Sequence, residues 1–591
     1  MEEMKLITNL LTGRRNIMNA IMRFPLTAIL LVAAAITRII STAAGGSLLG
    51  TGRMIYLELT ISFLLGALVS AVGQLTYERF FRTKVLRYAY MGTALIFALA
   101  YYVAIRNTDF DNMKIAIRTM VIFFVLFILF LWIPVIHHKY HFNQSVMAAF
   151  KAFFISLFFN GVLYLGIVLI LGATDLLIAK LNGQIYYNTA TIIFYVLAPI
   201  YFLSILPQYS EEEEGEERTL KLVAPTRFLE VLISYIIIPL TVIFTAILVI
   251  YILINITGEF WSDNLMEPLL IAYTLTVIII YLLSCSMQNK IALYFCKVFP
   301  KILLPIVLFQ TIASILKINE VGVTYGRYYV ILFGVFAIIA GGIFSVLPIR
   351  KNGWIAPILI VLSIISILPP IDSFTVSAKV QSSKLKQVLV HNDMLQDKVI
   401  LPKTNLSMED QELISKSVSY LDEIGAAKDV AWLQSYTKSK DFAKTFGFEQ
   451  YGFTGSTNFI SISRDENTAI PVNGFKYLFR TDISDGDSNR VIGEVKDNNK
   501  DYILKVEGKS EDDKEVSLYN EEKKIITFKM DVIYNKFKGM EGKDSATTEE
   551  LTFSQENDSA KLTLIANSLN FSDSTTAKDK YANVYIMVDI K

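Results

Sequence analysis

Cysteine and histidine are scarce in this chain, and their scarcity limits the chemistry it can perform. Only 2 cysteines and 4 histidines occur among the 591 residues. Both cysteines, Cys285 and Cys296, lie in or beside apolar segments, so the C-terminal part can form no disulfide and offers no thiol chemistry. That part has one histidine, His391, on which any Ser-His-Asp triad would depend. We therefore predict a protein that is not an enzyme and needs no cofactor.

Long apolar runs are also missing from the C-terminal part, although they recur throughout the N-terminal part. The composition changes near Pro369-Pro370: apolar blocks such as Ile115–Ile136 precede these prolines, and Lys, Asp, Ser and Asn predominate after them. The mean hydropathy of +0.46 and the 18% of charged residues are averages over two different halves. The formal net charge of +1 excludes a strongly basic, nucleic-acid-binding protein. The predicted partner of the N-terminal half is the lipid bilayer.

The N-terminal half contains enough apolar segments for a polytopic membrane domain. A helix needs about 20 predominantly apolar residues to cross the hydrocarbon core. With that measure we predict an α-helical membrane domain of about eleven transmembrane helices, at Leu26–Ala44, Met54–Gly73, Tyr88–Ile105, Ile115–Ile136, Ala152–Gly172, Thr189–Leu206, Val231–Ile254, Leu269–Cys285, Ile302–Leu316, Tyr328–Leu347 and Trp354–Leu368. The ninth segment is the weakest match, because it is short, contains Pro305 and lies between Lys301 and Lys317.

The distribution of Lys and Arg predicts how these helices are oriented. If the N-terminus is cytoplasmic, eighteen of these residues lie in inner loops or at inner span ends. Only seven then lie outside: Arg53, Arg106, Lys114, Arg118, Lys180, Lys317 and Arg327. An odd number of spans places the C-terminal part outside a bacterial cytoplasmic membrane, whereas a re-entrant ninth segment would leave it in the cytoplasm. We expect no cleavable signal peptide, since Arg38 interrupts the first apolar stretch.

The remainder of the chain is predicted to be water-soluble and of α+β type. We predict a transmembrane domain over 1–371, a helical stalk over 372–455 and a β-rich extracytoplasmic domain over 456–591. Helical periodicity in the stalk covers Val376–Leu389 and Ser407–Glu423, the second of which begins with a capping serine. The length from residue 372 onwards is ample for a core of its own.

From Asn458 onwards, apolar and polar residues alternate, which predicts a mostly antiparallel sheet. Turn sequences rich in Asp, Gly, Asn and Ser separate the alternating stretches. The predicted strands include Asp501–Val506, Val516–Tyr519, Ile525–Tyr534, Lys561–Ala566 and Val584–Ile590.

No motif in this sequence identifies a ligand. His137 and His141 have the spacing of metal ligands and His138 lies between them, but no Cys or carboxylate is near enough to complete a tetrahedral site. We interpret them as interfacial polar residues and predict no metal site. The acidic run over 211–217 is typical of a solvated linker.

Two further sequences resemble ligand-binding loops only superficially. The series Asp482, Asp485, Asp487 and Asn489 has the acidic residues of a calcium loop but lacks the required Gly and Glu, so we predict a turn. The sequence Gly508-Lys509-Ser510 lacks the leading glycine of a phosphate loop.

Charged residues inside the spans are the candidate functional positions of the membrane domain. Arg38 in the first span and Glu58 in the second fall at a similar depth, so they can pair. Such a pair is either functional or a structural link within one hairpin. Arg118 is so close to the outer end of the fourth span that snorkelling to the interface explains it.

Several segments in the membrane half and the stalk together resemble the bacterial membrane proteins of the DUF4153 family. These segments are Arg23-Phe24-Pro25-Leu26-Thr27, Pro239-Leu240 leading into 246–251, Phe299-Pro300-Lys301, 322–329 with Gly326, Arg327 and Tyr328, and 376–385. The β-rich tail adds little to the resemblance, and residues 317–321 depart from the usual pattern. The resemblance implies an inner-membrane location but no catalytic residues, because the function of the family is unknown.

Three functions are compatible with this sequence. The first is a non-enzymatic membrane protein whose extracytoplasmic domain binds or senses an envelope component, either a cell-envelope polymer or another membrane protein. The second is a transporter whose pore lies among helices broken by Pro199, Pro239 and Pro305, although neighbouring helices can also satisfy such breaks. The third is an intramembrane enzyme acting on lipid-linked substrates, for which the expected cluster of Asp, Glu or His is missing.

Overall fold

The chain forms two compact units, 1–450 and 451–591. A computed structural model describes residues 16–43, 51–81, 83–106, 113–209, 219–255, 266–316, 318, 322–439, 441–448, 450, 459–465, 468–484, 489–497, 500–508, 514–521, 523–538, 545–572 and 580–591. The helical region that follows the membrane half belongs to the first unit, and the strand-rich region makes up the second.

The first unit begins with a series of long apolar helices, as the sequence predicts. They are α1 Pro25–Ala43, α2 Thr51–Phe80, α3 Lys84–Ile105, α4 Met113–Trp132, α5 Phe142–Leu177, α6 over 184–205, α7 over 227–255, α8 Met266–Ser284, α9 Lys290–Leu316, α10 Tyr325–Val346 and α11 Ile355–Ile365. Within the described ranges, 9 helices are long and apolar enough to cross a membrane.

The predicted count of eleven spans is therefore not confirmed. Two of the predicted segments fall short of this measure, since Pro268–Ser284 is a shorter apolar helix and α11 has only 11 residues. A 3₁₀ helix over Ile349–Trp354 precedes α11 and includes only Trp354 of the predicted segment. The predicted ninth segment lies within a longer helix, α9. This helix has 27 residues and contains both Pro300 and Pro305.

Small residues allow the first three helices to pack closely. A Cβ atom added to Gly66 of α2 would lie 2.8 Å from the Cβ atom of Ala98 on α3. Thr27 of α1 donates a hydrogen bond to Ser70 of α2 over 3.1 Å. Close backbone approach and interhelical hydrogen bonds are the usual stabilising contacts between helices in lipid, where apolar burial alone gives little.

The helical region after the membrane half contains α12 Ser373–His391, the short hairpin β1 Leu395–Gln396 and β2 Val399–Ile400, α13 Met408–Glu423, α14 Gln434–Ser439 and α15 Phe442–Phe446. Ser407 caps α13 by accepting a hydrogen bond from the Asp410 backbone amide, as its sequence predicts. Leu385 and Leu389 of α12 and Ile414 and Val418 of α13 are fully buried against each other. The predicted helices of the stalk thus form one small core.

The second unit is built from strands. They are β3 Phe459–Arg464, β4 Tyr477–Ser484, β5 Arg490–Asp497, β6 Lys500–Glu507, β7 Glu515–Asn520, β8 Lys523–Lys529, β9 Ser545–Ala546, β10 Thr552–Glu556, β11 Ala560–Ser572 and β12 Lys580–Ile590, with α16 Asp531–Phe537 between β8 and β9. One sheet has the order β4-β12-β11-β3-β9, with β10 paired to β11, and the other has the order β5-β6-β7-β8. All pairings are antiparallel except β3 with β9, which confirms the mostly antiparallel prediction.

The predicted strand Ile525–Tyr534 is wrong in its second half. The strand ends at Lys529, and a turn at Met530 leads into α16. Ile533 and Phe537 are four positions apart, which places them on the same face of a helix. Both side chains are buried in the core of the second unit. The apolar alternation that favours a strand over this stretch is therefore accidental beyond residue 529.

Candidate functional site

The described membrane helices enclose a cavity of about 950 Å³. Its wall consists almost entirely of apolar side chains from α4, α5, α6, α8, α10 and α11, including Phe124, Phe153, Phe194, Leu275, Phe333 and Leu359. Neither Arg38 nor Glu58 lines it. An apolar wall of this kind suits a lipophilic molecule rather than an ion or a hydrophilic solute.

A few polar groups interrupt the apolar wall. Ser156 donates a hydrogen bond to the carbonyl oxygen of Ala198 over 2.7 Å, and Ser366 donates to the carbonyl oxygen of Ser363 over 2.7 Å. Tyr329 also belongs to the lining, but its hydroxyl is buried and has no hydrogen-bond partner.

Two of the three predicted proline breaks coincide with π-helical segments. Six-residue π segments occupy Ile192–Leu197 in α6 and Leu232–Ile237 in α7. Pro199 and Pro239 follow them, and a proline has no amide hydrogen with which to continue the regular helical ladder. Pro199 lines the cavity. Pro305, in contrast, lies within α9, which continues through it.

Arg118 of α4 forms an ion pair with Asp372, so snorkelling alone is the wrong explanation for it. Its Nη2 atom lies 3.3 Å from Oδ1 of Asp372, whose side chain is fully buried. Asp372 also caps α12 by accepting hydrogen bonds from the backbone amides of Phe374 and Thr375, each over 3.2 Å. The available signal was an acidic N-cap directly after the last apolar segment, on the same predicted side of the membrane as Arg118.

The surroundings of Asp372 keep its carboxylate ionised. Burial alone would raise its pKa, but hydrogen bonds from the hydroxyl and backbone of Thr375, the charge of Arg118 and the amide of Phe374 together hold the pKa below its ordinary value. The hydroxyl of Tyr328 donates to the nearby carbonyl oxygen of Ile371 over 2.7 Å. The chain is thus fixed where it leaves the membrane helices.

Two of the segments that resemble the family meet at this place. The ring of Tyr325, at the start of α10, stacks on Phe374 and on Tyr420 at centroid distances of 5.4 and 6.1 Å. Its backbone amide donates to the Tyr420 hydroxyl over 2.7 Å. Gln381 of α12 donates to the carbonyl oxygen of Val323 over 3.3 Å. Residues 322–329 and 373–385 therefore form one docking contact between the membrane helices and the helical region.

The remaining motif residues at this contact have local roles. Thr324 caps α10 by accepting a hydrogen bond from the Arg327 amide over 3.3 Å, and the Arg327 guanidinium lies 3.5 Å from the carbonyl oxygen of Gly322. Gly326 is exposed in the first turn of α10. Gly322 has a positive φ of 80°, which favours glycine. The motif thus specifies a turn followed by a capped helix.

The first motif segment lies at the start of α1 and contacts the end of α2 and the residues after α6. Arg23 binds Glu78 through two hydrogen bonds, of 2.9 Å from Nε and 2.7 Å from Nη2. It also donates to the carbonyl oxygens of Leu206 and Pro207 over 3.4 and 3.3 Å. The adjacent Phe24 is buried and α1 begins at Pro25, a favoured first helical residue. Arg23-Phe24-Pro25 therefore joins three helices rather than forming a binding site.

Arg38 and Glu58 form no ion pair within the described residues, so the contact predicted from their depth is not made. Glu58 is only 4% exposed, and one of its carboxylate oxygens has no hydrogen-bond partner. The positive charge that acts on it is Arg106, at the end of α3. Arg38 is half-buried on α1. Depth along a helix does not specify the direction of a side chain around it.

The histidines have separate structural roles. His138 stacks on Tyr140 at 5.2 Å, and the carbonyl oxygen of His137 accepts a hydrogen bond from Arg79 over 2.6 Å. His141 precedes α5, and its backbone amide donates to the Gln144 side chain over 2.8 Å. Burial and the charge of Arg350 lower the pKa of His141. No group of metal-binding residues occurs in the described part of the chain.

The second unit has a polar patch on the exposed face of its larger sheet, which we call the β4–β12 patch: Arg480, Asp482, Tyr581, Asn583 and Tyr585. Oδ1 of Asp482 accepts hydrogen bonds from the hydroxyl of Tyr581 over 2.7 Å and from Asn583 over 2.6 Å. These two bonds hold the pKa of Asp482 below its ordinary value. The Arg480 guanidinium lies 5.5 Å from the centre of the Tyr585 ring.

Asp482 belongs both to this patch and to the series that resembles a calcium loop. Several of the sequence predictions concern residues outside the described part of the chain. They are those for Asp485 and Asp487, for the acidic run over 211–217, and for Lys509 and Ser510. The sequence pattern missed the patch because its members come from two strands about a hundred positions apart. Asn583 faces Asp482 directly in the β4–β12 register.

These observations define a multi-pass membrane protein with a helical region docked on its membrane helices and a strand-rich C-terminal unit. The sequence model of DUF4153, a domain of unknown function, matches residues 24–402, and the chain belongs to this family. No curated protein matches the chain, and no solved structure matches it. The family match covers the cavity and the docking contact but ends before the β4–β12 patch.

Proposed function

We propose that this protein is a non-enzymatic receptor of a bacterial cytoplasmic membrane that binds a polyhydroxylated polymer of the cell envelope. In this proposal the N-terminus is cytoplasmic and the strand-rich unit is extracytoplasmic. The membrane helices and the helical region docked on them hold the receptor in the bilayer. The observation that carries the proposal is the β4–β12 patch.

The chemistry of the patch suits a chain of hydroxyl groups. Asp482 is exposed and held in the ionised state, so it can accept hydrogen bonds from ligand hydroxyls. Its Oδ1 atom is already engaged by Tyr581 and Asn583, which fixes the carboxylate and leaves Oδ2 for a ligand. Tyr581 is 36% exposed and offers an aromatic surface beside the carboxylate. Polar groups fixed in advance lose little entropy when they bind.

Binding can be tested with purified full-length protein in detergent and insoluble peptidoglycan as the probe. We expect Tyr581→Ala and Asp482→Asn to reduce the bound fraction about five-fold or more, because each removes a directed polar contact. Tyr519→Ala is a matched control, since the Tyr519 hydroxyl also binds a carboxylate, that of Glu507, over 2.7 Å, but on the other sheet. Equal retention of all three variants and the wild type would contradict the proposal.

The orientation is tested separately by reporter fusions. A reporter that is active only outside the membrane should be active after Lys591 and silent within 211–218, because the excess of Lys and Arg falls on the side of that loop. A silent fusion after Lys591 would place the strand-rich unit in the cytoplasm and exclude an envelope ligand.

A transport function receives less support. The π-helical segments of α6 and α7 are the observation in its favour, since such segments are frequent at functional sites. The cavity beside α6 is apolar, however, and the charges of Arg38 and Glu58 do not reach it. It offers no path with groups that would replace the hydration of an ion.

A further inference from the structure

The two cysteines of the chain meet where α8 ends and α9 begins. The Sγ atoms of Cys285 and Cys296 lie 2.7 Å apart, and both thiols are free. Non-bonded carbon atoms in close packing lie about 3.5–4.0 Å apart, and sulfur is the larger atom, whereas the S–S bond of a disulfide is about 2.05 Å long. The two sulfur atoms are therefore closer to bonding distance than to an ordinary contact.

The local backbone holds the cysteines in this contact. Cys285 directly follows α8, and its amide donates to the carbonyl oxygen of Tyr281 over 3.1 Å. Cys296 lies in the second turn of α9, and its Sγ atom lies 3.9 Å from the same carbonyl oxygen. Both cysteines thus lie against the last turn of α8, and closing the S–S bond requires a displacement of less than about 1 Å.

The two thiols differ in their access to a reagent. Cys285 is half-buried, whereas Cys296 is only 9% exposed. The turn that contains Cys285 also has the exposed Gln288 and Lys290, so it belongs to the polar end of the helix hairpin. A small oxidant therefore reaches Cys285 first, and Cys296 is placed to react with the product.

The same turn is bound to the π-helical segment Leu232–Ile237 of α7 and to the residues just before it. The side-chain amide of Asn289 donates to Oε1 of Glu230 over 3.0 Å and to Oγ of Ser234 over 2.7 Å. The Ser234 hydroxyl donates to the sulfur of Met287 over 3.7 Å, and both residues are almost fully buried. A bond between the two cysteines would close a ring around the turn and so fix the residues that hold the π segment.

We propose that Cys285 and Cys296 are a redox-sensitive modification site, at which a hydroperoxide forms a reversible disulfide that locks the α8–α9 turn onto α7. The Cys285 thiolate attacks a peroxide oxygen and breaks the O–O bond, which gives a sulfenic acid, and the departing oxygen takes up the proton that the thiol released. The Cys296 sulfur then attacks the sulfenic sulfur, and the hydroxyl group leaves with the Cys296 proton as water. The sulfur atoms lose two electrons, and a reducing dithiol restores both thiols.

The location of the turn makes this disulfide a transient one. The proposed orientation places the α8–α9 turn on the cytoplasmic side, where thiols are kept reduced and disulfides are usually short-lived. Only the transience rests on that orientation, which the reporter fusions test. Disulfide formation in the purified protein depends neither on the orientation nor on the β4–β12 patch.

The test is thiol counting by alkylation and mass spectrometry, with purified full-length protein in detergent and hydrogen peroxide as the oxidant. The chain has only 2 cysteines, so the count reports this site alone. We expect peroxide to remove both free thiols while the protein stays monomeric on a non-reducing gel, and dithiothreitol to restore them. In a glutathione buffer, the disulfide should resist reduction at least ten-fold better in folded protein than in protein unfolded in SDS, because the fold raises the effective concentration of one thiol at the other.

Two single variants are the matched controls, since serine keeps the size of each side chain. Cys296→Ser leaves the half-buried Cys285, which a charged maleimide should label at least ten-fold faster than it labels the buried Cys296 of Cys285→Ser. Peroxide should slow the hydrogen exchange of 227–237 and 284–290 about three-fold or more in the wild type and in neither variant. Folded wild-type protein that keeps both thiols in peroxide would overturn the site, and a disulfide that leaves the exchange of 227–237 unchanged would overturn the lock.

Discussion

Arg23 makes more polar contacts than a charge in a snorkelling position would. Its side chain is 8% exposed, that of Glu78 is 28% exposed, and the two are joined by a bidentate pair. Gln74 donates to the same carboxylate over 2.9 Å. A planar guanidinium matches a carboxylate in a way that a lysine ammonium cannot. The residue therefore fixes α1, α2 and the end of α6 relative to one another.

We expect Arg23→Ala to lower the free energy of unfolding by about 2–4 kcal/mol, because it leaves the largely buried Glu78 carboxylate without its cation. Arg23→Lys should recover only part of this loss, since the charge remains but the bidentate geometry does not. Thermal unfolding of the purified protein in detergent measures the effect, and Lys180→Ala is the exposed control. An Arg23→Ala variant as stable as Lys180→Ala would show that the pair contributes nothing.

His141 gives the membrane half a predicted dependence on pH. Its pKa is lowered by burial and by Arg350, so the folded state favours the neutral imidazole. The corresponding stability is complete above the unfolded pKa of about 6.5 and is lost as the pH falls below that value towards the lowered pKa of the folded state.

We therefore expect the wild-type protein to lose more stability between pH 7 and pH 5 than His141→Gln does, as measured by thermal unfolding at each pH. The variant keeps a polar side chain but cannot be protonated, so the difference between the two curves isolates this residue from the other histidines. Parallel curves for wild type and variant would show that His141 does not titrate in this range.

At the scale of elements, the docking of α12 and α13 on α10 depends on the turn that precedes α10. Gly322 has φ of 80°, and a Cβ atom placed there would lie 2.8 Å from Nε2 of Gln381. Gln381 could move away only by giving up its hydrogen bond to Val323. The turn and the helix that docks on it thus constrain each other.

We expect Gly322→Ala to destabilise the first unit by about 1–3 kcal/mol, from left-handed backbone strain and the lost contact of Gln381. Gly326→Ala is the matched control four residues later, where the nearest atom to an added Cβ is Thr324 Oγ1 at 4.0 Å. This control should be neutral or slightly stabilising, since alanine favours a helix. Hydrogen exchange of α12 measures the docking, and equal protection in both variants would refute its dependence on Gly322.

At the scale of the whole molecule, the two units differ in how far they can fold alone. The core of the second unit lies entirely within 460–590 and has its own buried strands and helix. The helical region before it is different, because Phe374, Tyr420 and Ile424 are buried together with Tyr325 and Ile117 of the membrane half. A fragment that begins at residue 372 would expose this apolar cluster.

We therefore expect the fragment 451–591 to be a soluble monomer with the circular dichroism of a β protein and cooperative unfolding. The fragment 372–591 should be less soluble, and Phe374→Ser with Tyr420→Ser should improve its solubility. Expression and size-exclusion chromatography of the three proteins give the answer. Aggregation of 451–591 alone would show that its sheets need the first unit.

The sequence by itself determined the membrane class, the approximate places of the helices and the strand-rich tail. These properties follow from local patterns, since apolar length specifies a membrane helix and alternation specifies a strand. The capping serine of α13 was predictable for the same reason, because Ser407 and Asp410 are neighbours in the chain. Alternation alone failed at 530–534, where the helix α16 follows the strand.

Only the tertiary structure decided which distant residues meet. It pairs Arg118 with Asp372, 254 positions later, and places Asn583 beside Asp482, while it leaves Arg38 and Glu58 apart. Local periodicity gives the depth of a residue in a helix or its face on a strand, but not the packing partner of that face. The cavity is likewise a product of six helices at once, so no single segment of the sequence carries a signal for it.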